Sequence, residues 1–223
     1  MKKKDYSLIY SNWDETVRRR KVFLSNPVFV KGLALAPLVV AATTVQNGII
    51  LCIAVLFLLT PARLVSSLIT RRMSVPLKTF FYPLVSAIIF AFVYYYMYKF
   101  LGKQVLMLGV YLPILIVDPL VVKNFEKTRK EEALYSVING LRNTAGFAVA
   151  CLIISAVREF LAFGTLAGIA VLPFGILPMM QYSFGGFLAV GLLCAVWTAL
   201  IQSYKYKVEV EAVHNERFAD YDN

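Results

Sequence analysis

Little in this sequence could carry out chemistry on its own. There is one histidine, His214, and there are three cysteines, Cys52, Cys151 and Cys194, placed singly with no CxxC pair. No zinc or iron–sulfur ligand set is legible in that spacing. A phosphate-binding GxxxxGK[ST] loop, a GxGxxG turn and a GxSxG elbow are all missing. These absences argue against a self-contained, soluble-type active site. Charge is scarce too: 16% of residues are charged, where a soluble domain carries about a quarter. The ~10-residue alternating segments of an outer-membrane barrel are also absent.

What is present is apolar length. The 223 residues are 59% hydrophobic with a mean hydropathy of +0.68. Several runs approach or exceed the ~18–20 residues that a helix needs to cross a bilayer. The expected fold is an all-α integral membrane protein with six transmembrane helices. They run about 28–44, 48–69, 80–98, 104–122, 139–161 and 182–204. A cytoplasmic segment, 1–25, precedes the membrane domain 26–205, and a cytoplasmic tail, 206–223, follows it. The start, MKKKDYSLIYSNWDETVRRRK, is too long and polar for the n-region of a cleaved signal peptide.

The net charge of +10 is a topology signal here, not a nucleic-acid footprint. Basic residues cluster before the first span (Lys2 to Lys21), between spans two and three (Arg71, Arg72, Lys78), between spans four and five (Lys123, Lys127, Arg129, Lys130) and in the tail (Lys205, Lys207, Arg217). The opposite connections hold only Lys99 and Lys103. Both termini are therefore expected in the cytoplasm. His214 lies in that polar tail, where it would be solvated.

Internal symmetry is suggested by Ala36-Pro37-Leu38-Val39-Val40 in the first span and Asp118-Pro119-Leu120-Val121-Val122 in the fourth. Each opens a three-span half, about 26–100 and 101–205. Three spans per half is odd, so the halves would have opposite orientations, an inverted 3+3 repeat with helices 1 and 4 broken at Pro37 and Pro119. The residues Ala36, Pro37, Asp118 and Pro119 are then candidates for a midplane ion or solute path. Asp118 reads either as an ion or proton site or as a cap about 6 Å from the end of its helix. Arg158 and Glu159 are adjacent, so they face different sides of their helix and do not pair simply. Their place near the helix end suggests snorkelling or contact with a partner subunit. Arg142 reads as an anchor at the membrane surface, and Tyr94 to Tyr96 with Tyr98 as an interfacial belt. The uncharged connection 162–181, with Pro173 and Pro178, is expected to dip into the protein or lie on the bilayer surface.

In order along the chain, several stretches resemble the small six-helix membrane subunits of the Rnf and Nqr respiratory complexes, the E and A subunits of Rnf and the D and E subunits of Nqr. They are Asn26-Pro27-Val28, Leu33-Ala34-Leu35-Ala36-Pro37-Leu38, Tyr111-Leu112-Pro113-Ile114-Leu115-Ile116, Ser136-Val137-Ile138-Asn139-Gly140-Leu141-Arg142-Asn143, Ala156-Val157-Arg158-Glu159-Phe160-Leu161 with Phe163-Gly164-Thr165-Leu166, and Gly175-Ile176-Leu177-Pro178. The resemblance implies a bacterial cytoplasmic-membrane location and pairing with a sister subunit, as a hetero- or homodimer. It also implies a [2Fe–2S] cluster shared between the two, fed by flavins on neighbouring subunits, with electron transfer linked to Na⁺ or H⁺ movement. The family's cluster cysteines would fall at Ala36 and Pro119, neither of which has a donor atom for iron. The expectation is a cluster-less relative that binds no cofactor or metal itself, with flavin or iron–sulfur groups on its partners. It would be at most a non-catalytic subunit of a translocating oxidoreductase. Two alternatives stay open: a transporter of a small or vitamin-like solute, and an electron-transfer subunit that uses a partner's redox carrier.

Overall fold

The computed structural model describes residues 24–69, 75–118 and 133–221. Within them the chain forms helices α1 (Pro27–Lys31), α2 (Leu35–Ala41), α3 (Val45–Ile69), α4 (Val75–Leu101), α5 (Lys103–Met107), α6 (Tyr111–Ile114), α7 (Ala133–Phe163) and α8 (Ser183–Tyr221). A 3₁₀ turn, Leu115–Val117, follows α6, and a two-stranded hairpin (β1 Thr165–Leu166, β2 Ile169–Ala170) and a second 3₁₀ turn, Pro178–Gln181, join α7 to α8. Among the described residues, four helices are long and apolar enough to cross a membrane: Val45–Val65, Pro83–Leu101, Ser136–Phe163 and Ser183–His214. They coincide with the second, third, fifth and sixth predicted spans.

The first and fourth predicted spans are not continuous helices. The first is α1 plus α2, and its interruption lies upstream of Pro37. Gly32 ends α1 in the left-handed region at φ 67°, while the Gly32 and Leu33 amides bond back to Val28 and Pro27. This is a Schellman closure, for which glycine is suited because it lacks a Cβ. Ala34 is also left-handed, at φ 50°, which costs about 1–2 kcal/mol for an L-residue with a side chain. Pro37 is the third residue of α2, in the first turn, where its missing N–H removes a bond that no helix would have made. The predicted break at Pro37 is thus corrected to Gly32–Ala34. The fourth span is interrupted at 108–110, with Gly109 at φ 51°, and Pro119 lies outside the described residues.

α3 and α7 are the centre of the bundle and run antiparallel. At one end Gly48 of α3 faces Ser155 of α7, and at the other Gly140 of α7 faces Thr60 of α3. Small residues allow this close approach where apolar burial gives no drive between helices in lipid. Leu51, Leu58, Phe147 and Ile154 fill the seam, and Leu33, Leu38, Leu112 and Leu115 from the interrupted segments close over it. α4 and α8 pack around the outside and keep long exposed apolar faces, including Ile88, Phe92, Leu192, Val196 and Leu200.

A Cβ at residue 48 would overlap the Ser155 hydroxyl. Gly48→Ala is therefore expected to lower stability by about 1–3 kcal/mol, read as a lower thermal midpoint in detergent. Ser155→Ala in the same chain should recover part of that loss.

Candidate functional site

Interrupting a membrane segment exposes helix ends inside the bundle, where each unpaired backbone group costs several kcal/mol. At the first interruption these ends are met by three ionisable side chains from distant parts of the chain. The N-terminal side of α2 is met by Asp118, whose Oδ1 accepts the Ala34 amide at 3.2 Å. The C-terminal side is met by Arg158. This arginine is 0% exposed, and its Nη1 donates to the carbonyls of Val39 at 2.7 Å and Ala42 at 3.1 Å. The start of α3 is met by Glu159, whose Oε2 accepts the Val45 amide at 2.7 Å. Each charge has the sign that the helix end prefers, acid at amides and base at carbonyls.

The same two residues of α7 hold the connection to α8. Arg158 Nε donates to Met180 O at 3.1 Å and Nη2 to Tyr182 O at 3.2 Å. Glu159 Oε1 accepts the Thr165 hydroxyl at 3.0 Å and the Gly168 amide at 2.8 Å. Adjacent positions on one helix point to different sides, as expected, and both are used. The guanidinium fork fits carbonyls on two chain segments at once, a geometry that a lysine ammonium does not reproduce. Gly186 of α8 approaches so closely that a Cβ there would overlap Val39 O, the carbonyl that Arg158 holds.

Sequence reasoning placed Arg158 and Glu159 at the membrane surface, snorkelling or touching a partner. Their charged tips instead lie inside the chain, bonded to its own backbone. They sit about 6–8 Å from the end of α7, with their side chains turned toward the chain's own backbone. Arg142 is exposed. Ala36 is exposed and Pro37 buried on α2, and α2 packs against α6, so the first and fourth segments do meet. The meeting point is the Asp118–Ala34 bond. Asp118 Oδ2 is buried with no hydrogen-bond partner among the described residues.

Other buried polar groups were not foreseen. Asn26, 0% exposed, caps α1 by accepting the Val28 amide at 2.9 Å and donates to Gly146 O at 2.8 Å. The Asn-Pro pair at a helix start was the available signal. Arg63 of α3 is 1% exposed, and a basic residue inside an apolar run was visible in the sequence. Cys151 of α7 is buried against α3, its thiol reaching Gly48 O at 3.6 Å, and Cys52 of α3 packs against the same core.

The donor set does not fit a [2Fe–2S] cluster shared with a second subunit. Ala36 offers a methyl group, and Asp118 has one oxygen committed to Ala34. The cysteines present lie elsewhere: Cys151 is 0% exposed within the bundle, and Cys52 and Cys194 are half-buried on α3 and α8. Among the described residues no group of three or more His, Cys, Asp or Glu could hold a metal ion.

The long apolar helices, the interrupted segments and the buried charges that hold them describe a polytopic membrane protein. More particularly, the family described as "Rnf-Nqr subunit, membrane protein" matches residues 16–194, and the chain belongs to it. Among its relatives, the E subunit of the proton-translocating ferredoxin:NAD(+) oxidoreductase complex of Clostridium ljungdahlii is 28% identical over 181 residues, covering 80% of this chain and 85% of the relative. The E subunit of the ion-translocating oxidoreductase complex of Methanosarcina acetivorans is 26% identical over 189 residues, covering 79% and 86%. That of Vibrio parahaemolyticus is 24% identical over 223 residues, covering 92% and 97%.

Arg158→Met should leave buried carbonyls of Val39, Ala42, Met180 and Tyr182 without donors and destabilise the protein by about 3 kcal/mol or more. Arg158→Lys should fall between that variant and the parent in thermal midpoint. Glu159→Gln should speed amide hydrogen exchange at Val45 and Gly168 while leaving Val28 unchanged.

Proposed function

We propose that this chain is an E-type membrane subunit of an Rnf/Nqr-like ion-translocating complex, pairing with a sister membrane subunit and holding no [2Fe–2S] cluster itself. Its role is structural or translocating, and flavin or iron–sulfur groups reside on its partners. It crosses the bilayer of a bacterial cytoplasmic membrane six times as an inverted repeat, with both termini in the cytoplasm.

The observation that carries this reading is the contact between Asp118 and Ala34. It joins the two interrupted segments close in the chain to Ala36 and Pro119, where the family's thiolates would stand, and it does so with a carboxylate and an amide. The inverted arrangement draws support from the central helices. α3 and α7 are antiparallel, and they carry a shared pattern near their ends, Leu58-Leu59-Thr60-Pro61-Ala62-Arg63 against Ile153-Ile154-Ser155-Ala156-Val157-Arg158. Both arginines are buried. A second reading, transport of a small solute along the same path, is favoured by one feature: the buried Asp118 Oδ2, which keeps acceptor capacity beside the interruption.

The test is purification from the native membrane in mild detergent, with partners identified by mass spectrometry and iron and flavin assayed on the same sample. The expected result is co-purification with a sister subunit and flavin-bearing subunits, and no iron on this chain when it is separated from them. Brown protein with iron–sulfur absorbance on the isolated chain would sink the proposal. Asp118→Asn keeps an Oδ1 acceptor for Ala34 and removes the charge. It is expected to leave expression and assembly intact while lowering ion translocation by the complex. Unchanged translocation would reduce Asp118 to a cap.

A further inference from the structure

Between Glu159 and Lys205 the chain contains no Asp, Glu, Lys, Arg or His. Part of that stretch, 164–182, lies between α7 and α8, where a connection facing water would be polar. Its outward face is apolar instead. Ile169 is 72% exposed and Phe174 70%, with Val171 and Ile176 each more than half exposed.

The structure indicates what covers this face. The connection leaves α7 at Phe163 and enters α8 at Ser183, which are the ends of two candidate membrane spans. It therefore sits at the level where hydrocarbon gives way to headgroups. Its apolar surface runs on through Tyr182, Phe184 and Phe187, each 65% exposed, into the exposed face of α8, so the two share one environment. Aromatic side chains at this level suit the membrane–water boundary. The hairpin ladder has two residue pairs, Thr165 with Ala170 and Leu166 with Ile169, and its outer edges have no further strand among the described residues. Unpaired strand edges are costly in hydrocarbon and satisfied by water among the headgroups. The seat is thus shallow. It is also fixed in place, because Glu159 grips Thr165 and Gly168 and Arg158 grips Met180 and Tyr182.

We propose that the 164–182 connection is a lipid-seated cap, whose face of Ile169, Val171, Phe174 and Ile176 rests in the interfacial layer of the adjacent bilayer leaflet. The partner is the acyl–glycerol boundary of the lipid itself and not a particular headgroup, since the stretch has no charge to select one. Through Glu159 and Arg158 the cap is tied to the start of α3 and the end of α2. The bilayer surface is thereby a third support of the interrupted segment, beside the side chains that hold it.

The test places a single fluorescent reporter on the cap in the full chain. Trp13 and Trp197 are replaced by phenylalanine, and Phe174→Trp or, separately, Ile169→Trp is introduced. Both positions are exposed, so the fold tolerates either change. In phosphatidylcholine nanodiscs, emission should shift to the blue of its value in water. It should be quenched more strongly by lipid brominated near the glycerol than by lipid brominated near the chain end or by acrylamide. Adding Glu159→Gln to the Ile169→Trp chain should raise acrylamide quenching of its reporter. Water-like emission with dominant acrylamide quenching would overturn the proposal, since it would describe an aqueous loop. Dominant quenching from the chain end would overturn it as well, by placing the segment deep. Resistance to every quencher would mean cover by protein, and would also overturn it.

Discussion

A helix interrupted inside an apolar bundle must find partners for backbone groups that a continuous helix satisfies by itself, and everything distinctive in this protein follows from that requirement. The stretch from Pro27 to Ala41 is two short helices, not one long one. Neither is long enough to be stable alone. α2 has seven residues and is positioned by Asp118 at its start and Arg158 at its end. Burying such charges unpaired would be prohibitive. Here each is turned into a helix-end partner, so the electrostatic cost of the charge and the hydrogen-bonding cost of the break offset each other.

The two interruptions solve the same problem differently. At 108–110 the amides of Leu108, Gly109 and Tyr111 bond to carbonyls three residues back, so the turn is satisfied locally and needs no charged partner. At 32–34 the local bonds of the Gly32 and Leu33 amides are joined by a long-range one from Ala34 to Asp118, and at 42–45 the partners are long-range, so both places draw on residues more than 80 positions away in the chain. Local satisfaction leaves a segment free of the rest of the fold, whereas long-range satisfaction ties it in. Arg158 and Glu159 join the ends of α2 and α3 to the hairpin and to the turn before α8 through a single pair of neighbouring residues on α7. A change in the position of any one of these pieces is therefore felt at the others.

The parts of this architecture that were legible in the sequence are those governed by length and hydropathy. α3, α4, α7 and α8 announce themselves as long apolar runs, and an interruption in the first and fourth segments was anticipated from their prolines. The location of the first break was not. Proline marks a break because it lacks an amide, but in the first turn of α2 no amide is needed, and the turn is made by Gly32 and Ala34 instead. An alanine in the left-handed region has no sequence signature, since its strain is supported by Asp118 from the other half of the chain. Arg158 and Glu159 were expected near their helix end, snorkelling or touching a partner, and their bonds to the chain's own backbone were not foreseen. Hydropathy reports distance from a helix end, while their partners are carbonyls and amides, which every residue possesses and no sequence pattern marks. Cys52 and Cys151 show the converse, two residues that look isolated in the chain and are neighbours in the fold.

The tie between Asp118 and Ala34 bears on how a member of this family could dispense with a metal centre. A cluster shared between subunits would hold two interrupted segments together and also require thiolates on a surface that a second subunit can reach. In this chain the segments are already held by a carboxylate on an amide, within one polypeptide, and Ala36 presents only a methyl group. On the proposed reading, then, loss of the thiolates removes an electron carrier without removing the joint. The geometry of the interruption survives because it rests on hydrogen bonds to backbone, which are indifferent to redox state.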